Sequence, residues 1–133
     1  MESDLSNSLA QLLVVMFGGA FGALARFLLT TKVTEKFGHA FPYGTLSVNV
    51  IGSFLMGFLS IIIIERLSLD PLFRLGILVG FLGAFTTVSA FSLDTLSLFE
   101  QGNYQHAFFN IFITVLFSVA AVWLGVLLGK ALN

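Results

Sequence analysis

Six uncharged polar residues recur at a fixed spacing inside apolar runs. Thr45, Asn49 and Ser53 follow one another every four residues, and Asn110, Thr114 and Ser118 do the same further along. Residues at i and i+4 share one face of a helix, so each set forms a polar stripe on an otherwise apolar cylinder. A polar group in hydrocarbon is costly unless partnered, so such residues face a bundle interior or water. Two uses compete. One is hydrogen bonding between helices, worth only about 0.6 kcal/mol per contact on average in a membrane. The other is a hydrated or ion-conducting path, which two stripes in so small a chain favour. The stripes supply hydroxyl donors and the carboxamide N–H of Asn49, but no Asp, Glu or Lys. Neutral donors replace water around an anion without trapping it by full charge, whereas a cation favours carboxylates or rings of carbonyls. The chemistry tilts toward a small anion.

Between the stripes lies an irregular segment, Gly80-Phe81-Leu82-Gly83-Ala84-Phe85-Thr86-Thr87-Val88-Ser89-Ala90-Phe91-Ser92. Two glycines and a Thr/Ser cluster make a poor continuous helix. A break here frees carbonyls for a cation and half-helix ends for ions; the competing reading is a kinked but continuous helix. Arg26 is the basic residue inside the first apolar run. It either snorkels to the nearer interface or sits at a mouth and raises the local anion concentration. Asp94 is a candidate partner for Arg26 or a basic loop residue. His39 and His106 lack the spacing of a metal site. Among the 16 Phe, a ring on a path wall offers an electropositive edge to an anion.

These residues need elements long enough to cross a bilayer. The chain has 133 residues, 57% hydrophobic and 10% charged, with a mean hydropathy of +1.00. A soluble domain carries about a quarter charged residues, so the composition excludes a cytosolic enzyme and a disordered regulator. A net charge of −1 gives no polyanion-binding field and no nucleic-acid partner. With no Cys there is no disulfide, thiolate metal site or Cys nucleophile. Four apolar runs meet the roughly 20 residues a spanning helix needs, and they predict helices over about 9–30, 41–64, 75–98 and 107–130. Glu2 and Asp4 stand before the first where a signal peptide has a basic region, so the first run reads as a retained helix. The loops Thr31–Ala40, Glu65–Phe73 and Glu100–His106 are short, so function sits in the helices or their mouths.

Orientation normally follows the Lys/Arg bias of the loops. Here Lys32 and Lys36, with Arg26 if counted, balance Arg66, Arg74 and Lys130. Either the rule is weak for this chain, or it inserts both ways up and pairs with an inverted copy. Small residues four apart (Gly18 and Gly22, Ser53 and Gly57, Gly76 and Gly80, Gly125 and Gly129) favour close helix packing. The expected fold is an all-α membrane protein.

Read together, the motifs resemble the small fluoride channel family, the Fluc or CrcB proteins. The match runs through Gly18-Gly-Ala-Phe-Gly-Ala-Leu-Ala-Arg26-Phe27, Gly44-Thr-Leu-Ser-Val-Asn49-Val-Ile-Gly52 and the third-helix segment from Gly80 to Ser92. It continues through Gln101-Gly102-Asn103-Tyr104 to Thr114 and Ser118. The resemblance covers nearly the whole chain; each motif alone is weak and the set is specific. It implies four transmembrane helices per subunit, a broken third helix and an antiparallel, dual-topology dimer with two fluoride pathways. It implies passive fluoride export across the prokaryotic plasma membrane. It implies a path along Asn49, Thr45, Thr114, Ser118 and third-helix residues at 88, 89, 91 and 92 (Val88, Ser89, Phe91, Ser92), with Arg26 near a vestibule. It further implies a buried structural Na+ on the backbone carbonyls of Gly83 and Thr86 from both subunits.

The chain departs from the family pattern in its third helix, which usually reads Thr-Phe-Ser-Thr-Phe-Ser and here reads Thr87-Val88-Ser89-Ala90-Phe91-Ser92. Phe91 keeps the second ring, while Val88 replaces the first and Ala90 a Thr. Val122 stands at a further polar position of the fourth helix, and Asp94 replaces the usual Glu. Three accounts of Val88 compete: an aliphatic wall is tolerated, Phe85 swings in, or a second, complementary chain completes a heterodimer. The expectation is the first, in a homodimer. The runner-up function is a small multidrug exporter, which needs an intramembrane carboxylate for proton exchange; the first helix has none. A scaffold without transport is the third reading. No Ser-His pair, carboxylate pair or metal cluster suggests an enzyme.

Overall fold

The computed structural model describes residues 2–132. Among them four helical spans, Asp4–Phe37, Tyr43–Arg66, Pro71–Glu100 and Tyr104–Ala131, are long and apolar enough to cross a membrane. The chain is an all-helical, multi-pass integral membrane protein.

Helix α1, Glu2–Phe37, has 36 residues, about 54 Å at 1.5 Å per residue. It outruns the apolar stretch at both ends; at the C-terminal end Lys32, Glu35 and Lys36, good helix formers, carry it on. Gly38 stops it: its φ of +84° is a left-handed turn that a residue with a Cβ rarely adopts. Helix α2, Tyr43–Ile61, follows Pro42 and runs on through one wide turn, Ile62–Arg66, with π-type hydrogen bonding. Asp70 caps α3, Pro71–Arg74, by accepting the Leu72 N–H at 2.8 Å, and Pro71 occupies the first helical position, where a missing N–H costs nothing.

The third span then departs from α geometry twice. Leu75–Leu82 is eight residues of π-helix, and α4, Gly83–Phe85, lasts a single turn. Thr86 and Thr87 are extended, with φ/ψ of −86°/159° and −155°/118°. Helix α5, Val88–Glu100, restarts the span, and α6, Tyr104–Ala131, completes the bundle. The Gly/Thr/Ser cluster therefore breaks the helix rather than kinking it.

Lipid tails are as apolar as the helices, so association rests on close packing and hydrogen bonds rather than on burial from water. The predicted small residues carry it. A Cβ at Gly18 would collide with the Gly76 carbonyl, and one at Gly22 with the Phe81 carbonyl, which seats α1 against the π-helical stretch. Gly57 faces the Val122 carbonyl and Gly125 the Phe54 carbonyl in the same way, joining α2 to α6. The buried core is thin, with Val48, Leu82 and Ala107 at 0% exposure. Phe17, Phe27, Phe112 and Trp123 project outward, more than 60% exposed, as a lipid-facing surface requires.

Candidate functional site

The helix break is built from three hydrogen-bonded partners. The Thr87 N–H donates to Asn49 Oδ1 at 2.7 Å, and Asn49 Nδ2 donates to the Thr87 carbonyl at 2.9 Å. One carboxamide on α2 thus clamps both polar groups of one extended residue. Arg26 Nη1 donates to the Thr86 carbonyl at 3.3 Å. The Thr87 hydroxyl accepts the Ala90 N–H at 3.1 Å and caps α5. In a continuous helix the Thr87 N–H would bond the Gly83 carbonyl; diverted to Asn49, it leaves that carbonyl without its helical donor. Irregular backbone at membrane depth survives only when partnered in this way. α2 approaches closely because position 52 is Gly: a Cβ there would strike the Thr86 methyl.

On one side of the break lies a polar cup of about 270 Å³, lined by Thr30, Thr34, His39, Thr45, Asp94 and Gln101. The Thr45 hydroxyl donates to Asp94 Oδ2 at 2.6 Å. Asp94 therefore pairs with Thr45, neither with Arg26 nor with a basic loop residue. Arg26 does not line this cup; its guanidinium turns to the Thr86 carbonyl at the break.

On the other side an open groove of about 610 Å³ runs between the break and α6, lined by Asn49, Ser53, Phe91, Thr114 and Ser118, with Val88 at its rim. The α2 stripe reads in order along this route: Thr45 in the cup, Asn49 at the break, Ser53 in the groove. The α6 stripe divides. Asn110, 1% exposed, donates through Nδ2 to the Thr95 hydroxyl at 2.9 Å and accepts the Thr114 hydroxyl at 3.3 Å. Ser118 Oγ is buried and has no hydrogen-bond partner.

The remaining sequence-predicted residues separate cleanly. Phe91 reaches the groove. Ser89 and Ser92 do not line it; the Ser89 hydroxyl meets that of Thr87 at 3.1 Å and the Ser92 hydroxyl bonds back to the Val88 carbonyl at 2.8 Å. Val88 is 76% exposed. Phe85 does not swing toward it: it is 6% exposed and stacks on Phe81, with centroids 6.0 Å apart. Thr95 is a structural participant that sequence reasoning missed, because it stands outside the two stripes and the Thr/Ser cluster; Thr87 lies in that cluster, but nothing in the sequence marks its clamp to Asn49.

A broken transmembrane helix, a polar cup and a groove of neutral donors joined by one stripe mark a small four-span membrane protein. Residues 13–126 match the family described as CrcB-like protein, Camphor Resistance (CrcB), and the chain belongs to that family. A relative from Methylococcus capsulatus, named Fluoride-specific ion channel FluC, is 50% identical over 121 residues, 91% of this chain and 53% of that protein. The chain thus spans about half of that relative. Proteins of the same name from Magnetococcus marinus and Hydrogenovibrio crunogenus are 46% and 45% identical over 120 residues. Each match covers 90% of this chain, with 98% and 91% of the respective relatives.

Proposed function

We propose that this protein is a channel that lets fluoride leave the prokaryotic cell passively through the plasma membrane. The observation that carries this reading is the line of uncharged donors from Thr45 past Asn49 to Ser118, whose hydroxyl lacks a partner within the protomer. A small anion leaving water needs donors in place of its hydration, since unpaired burial of charge is prohibitive. Fluoride accepts strongly from O–H and N–H groups, and each site along the route is neutral enough to release it.

Thr45, whose hydroxyl is held by Asp94 in this structure, marks the cup end of the route. At the break, Asn49 keeps one Nδ2–H beyond the one given to Thr87, and the N-terminus of α5 adds a favourable dipole. Beyond it the Phe91 ring edge, Thr114 and Ser118 take over. The whole route moves an ion and makes no bond, so the protein is a channel rather than an enzyme. A drug–proton exchanger gains no support: Asp94, the carboxylate beside the route, is engaged by Thr45.

The proposal includes an antiparallel homodimer. The groove is open on the protomer surface, large apolar side chains surround it, and the Lys/Arg balance favours neither orientation. A second copy would close the groove's open side, with Val88 as a tolerated aliphatic wall. It also includes Na+ on the carbonyls of Gly83 and Thr86. The donor set fits: Gly83 is exposed and its carbonyl has lost its helical donor, while the Thr86 oxygen keeps a lone pair beside that taken by Arg26. Two carbonyls per protomer need two more from a partner. Na+ there would supply a fixed positive charge joining two breaks.

Purified protein in liposomes tests the reading. Fluoride-loaded vesicles in fluoride-free buffer, with valinomycin to carry K+, should discharge fluoride rapidly. Folded protein that releases none refutes it.

A further inference from the structure

We infer that Asn110 is a positioning residue that sets the width of the groove and hence which anions pass. The inference rests on the channel reading above. The groove has one wall on α5, carrying Phe91, and one on α6, carrying Thr114 and Ser118. Neither wall is covalently close to the other: the helices meet at the turn near Gly102, at the far end of α5 from Phe91. What fastens them beside the groove is a buried polar chain. Asn110 Nδ2 donates to Thr95 Oγ1 at 2.9 Å, and the Thr95 hydroxyl donates to the Phe91 carbonyl at 2.7 Å. Asn110 Oδ1 accepts from Thr114 Oγ1 at 3.3 Å.

The carboxamide of Asn110 therefore touches both walls and no solute. Asn110 and Thr95 line neither the groove nor the cup, and both are buried, at 1% and 6% exposure. Through Thr95 it holds the turn of α5 that bears Phe91. Through Oδ1 it determines where the Thr114 proton points when the groove is empty. The Thr114 bond is the longest of the three, outside the usual range of hydroxyl–oxygen bonds, so an anion in the groove can take that proton while the other two bonds hold the wall spacing. A small anion gains from donors at this spacing. A larger one gains only if the walls part, and the Asn110–Thr95 bond opposes that.

The experiment compares Thr95→Val, Thr95→Ser and Asn110→Leu in liposomes, recording fluoride and chloride efflux separately and normalising both to folded protein. Thr95→Val keeps the shape and deletes the hydroxyl, so the fluoride-to-chloride ratio should fall. The expected fall is about three- to twentyfold, the span of interhelical hydrogen bonds measured in membranes. Thr95→Ser restores the hydroxyl and the ratio. Asn110→Leu should lower the ratio at least as far, and adding Thr95→Val to it should change nothing more. A ratio equal to wild type in Thr95→Val, with both fluxes scaled together, overturns the inference and reduces Asn110 to a packing role. Should Asn110→Leu fail to fold, the Thr95 pair decides alone. Absence of fluoride flux in the wild type refutes the channel reading instead, which keeps the two failures distinct.

Discussion

Replacing Asn49 with Leu removes both arms of the clamp on the helix break, and the structure assigns each arm a different cost. The Thr87 N–H has Asn49 Oδ1 as its partner at 2.7 Å, and losing it leaves a half-buried donor unsatisfied, at about 1–3 kcal/mol. The Thr87 carbonyl belongs to the residue that caps α5, whose C=O already takes the first intrahelical bond. Losing Asn49 Nδ2 costs it only an interhelical contact of about 0.6 kcal/mol. Together the break should loosen by about 1.6–3.6 kcal/mol, a large part of a typical folding free energy of about 5–15 kcal/mol. Hydrogen exchange at the Thr87 amide in detergent, resolved by fragmentation mass spectrometry, should accelerate roughly 14- to 370-fold, at about tenfold per 1.4 kcal/mol. Fluoride efflux should fall in parallel. Asn49→Asp offers a contrast, because it keeps an acceptor for the Thr87 N–H while placing a carboxylate on the path; flux should nearly vanish. If Asn49→Leu abolishes flux and leaves Thr87 exchange untouched, the clamp carries no energy and Asn49 acts as an anion donor alone.

Three further outcomes follow from the same geometry. Ser118→Ala deletes a hydroxyl with no internal partner, so thermal stability should stay within about 0.5 kcal/mol while fluoride efflux drops; a clear loss of stability would mean that the hydroxyl has a structural partner. Val88→Phe places a ring at a rim position 76% exposed, so the protein should fold normally and fluoride flux should rise; unchanged flux would show that the aliphatic wall is not limiting. Gly57→Leu drives a side chain into the Val122 carbonyl, and overpacking of about 1–3 kcal/mol or more should lower the melting temperature on size-exclusion analysis; a wild-type melting curve would argue against the α2–α6 contact.

Much of the architecture is legible in the residues. Four uncharged or nearly uncharged runs announce four spans, since nothing else accommodates so much apolar surface. The break is legible at Gly83–Ser92 because glycine and β-branched or hydroxyl residues oppose a continuous helix. The π-helical stretch Leu75–Leu82 is not: Gly76 and Gly80 mark weak helix propensity, which does not specify the wider winding. Helix ends are poorly marked, since polar residues such as Lys32 and Glu35 continue a helix as readily as they leave it. Of the site, Thr45, Asn49 and Ser118 are visible as stripes, yet their partners are not. Periodicity reports that a face is polar. Whether Asn110 meets water or Thr95 depends on the neighbouring helix, and for the same reason Asp94 meets Thr45 and Arg26 meets the Thr86 carbonyl.

The contacts at Gly18, Gly22, Gly57 and Gly125 set main chain directly on main chain. No pliable side chain cushions those crossings, so the helices have no room to slide or tilt past one another. In the channel proposed above, such crossings favour a rigid frame, beside which side chains change rotamer on the picosecond-to-nanosecond scale.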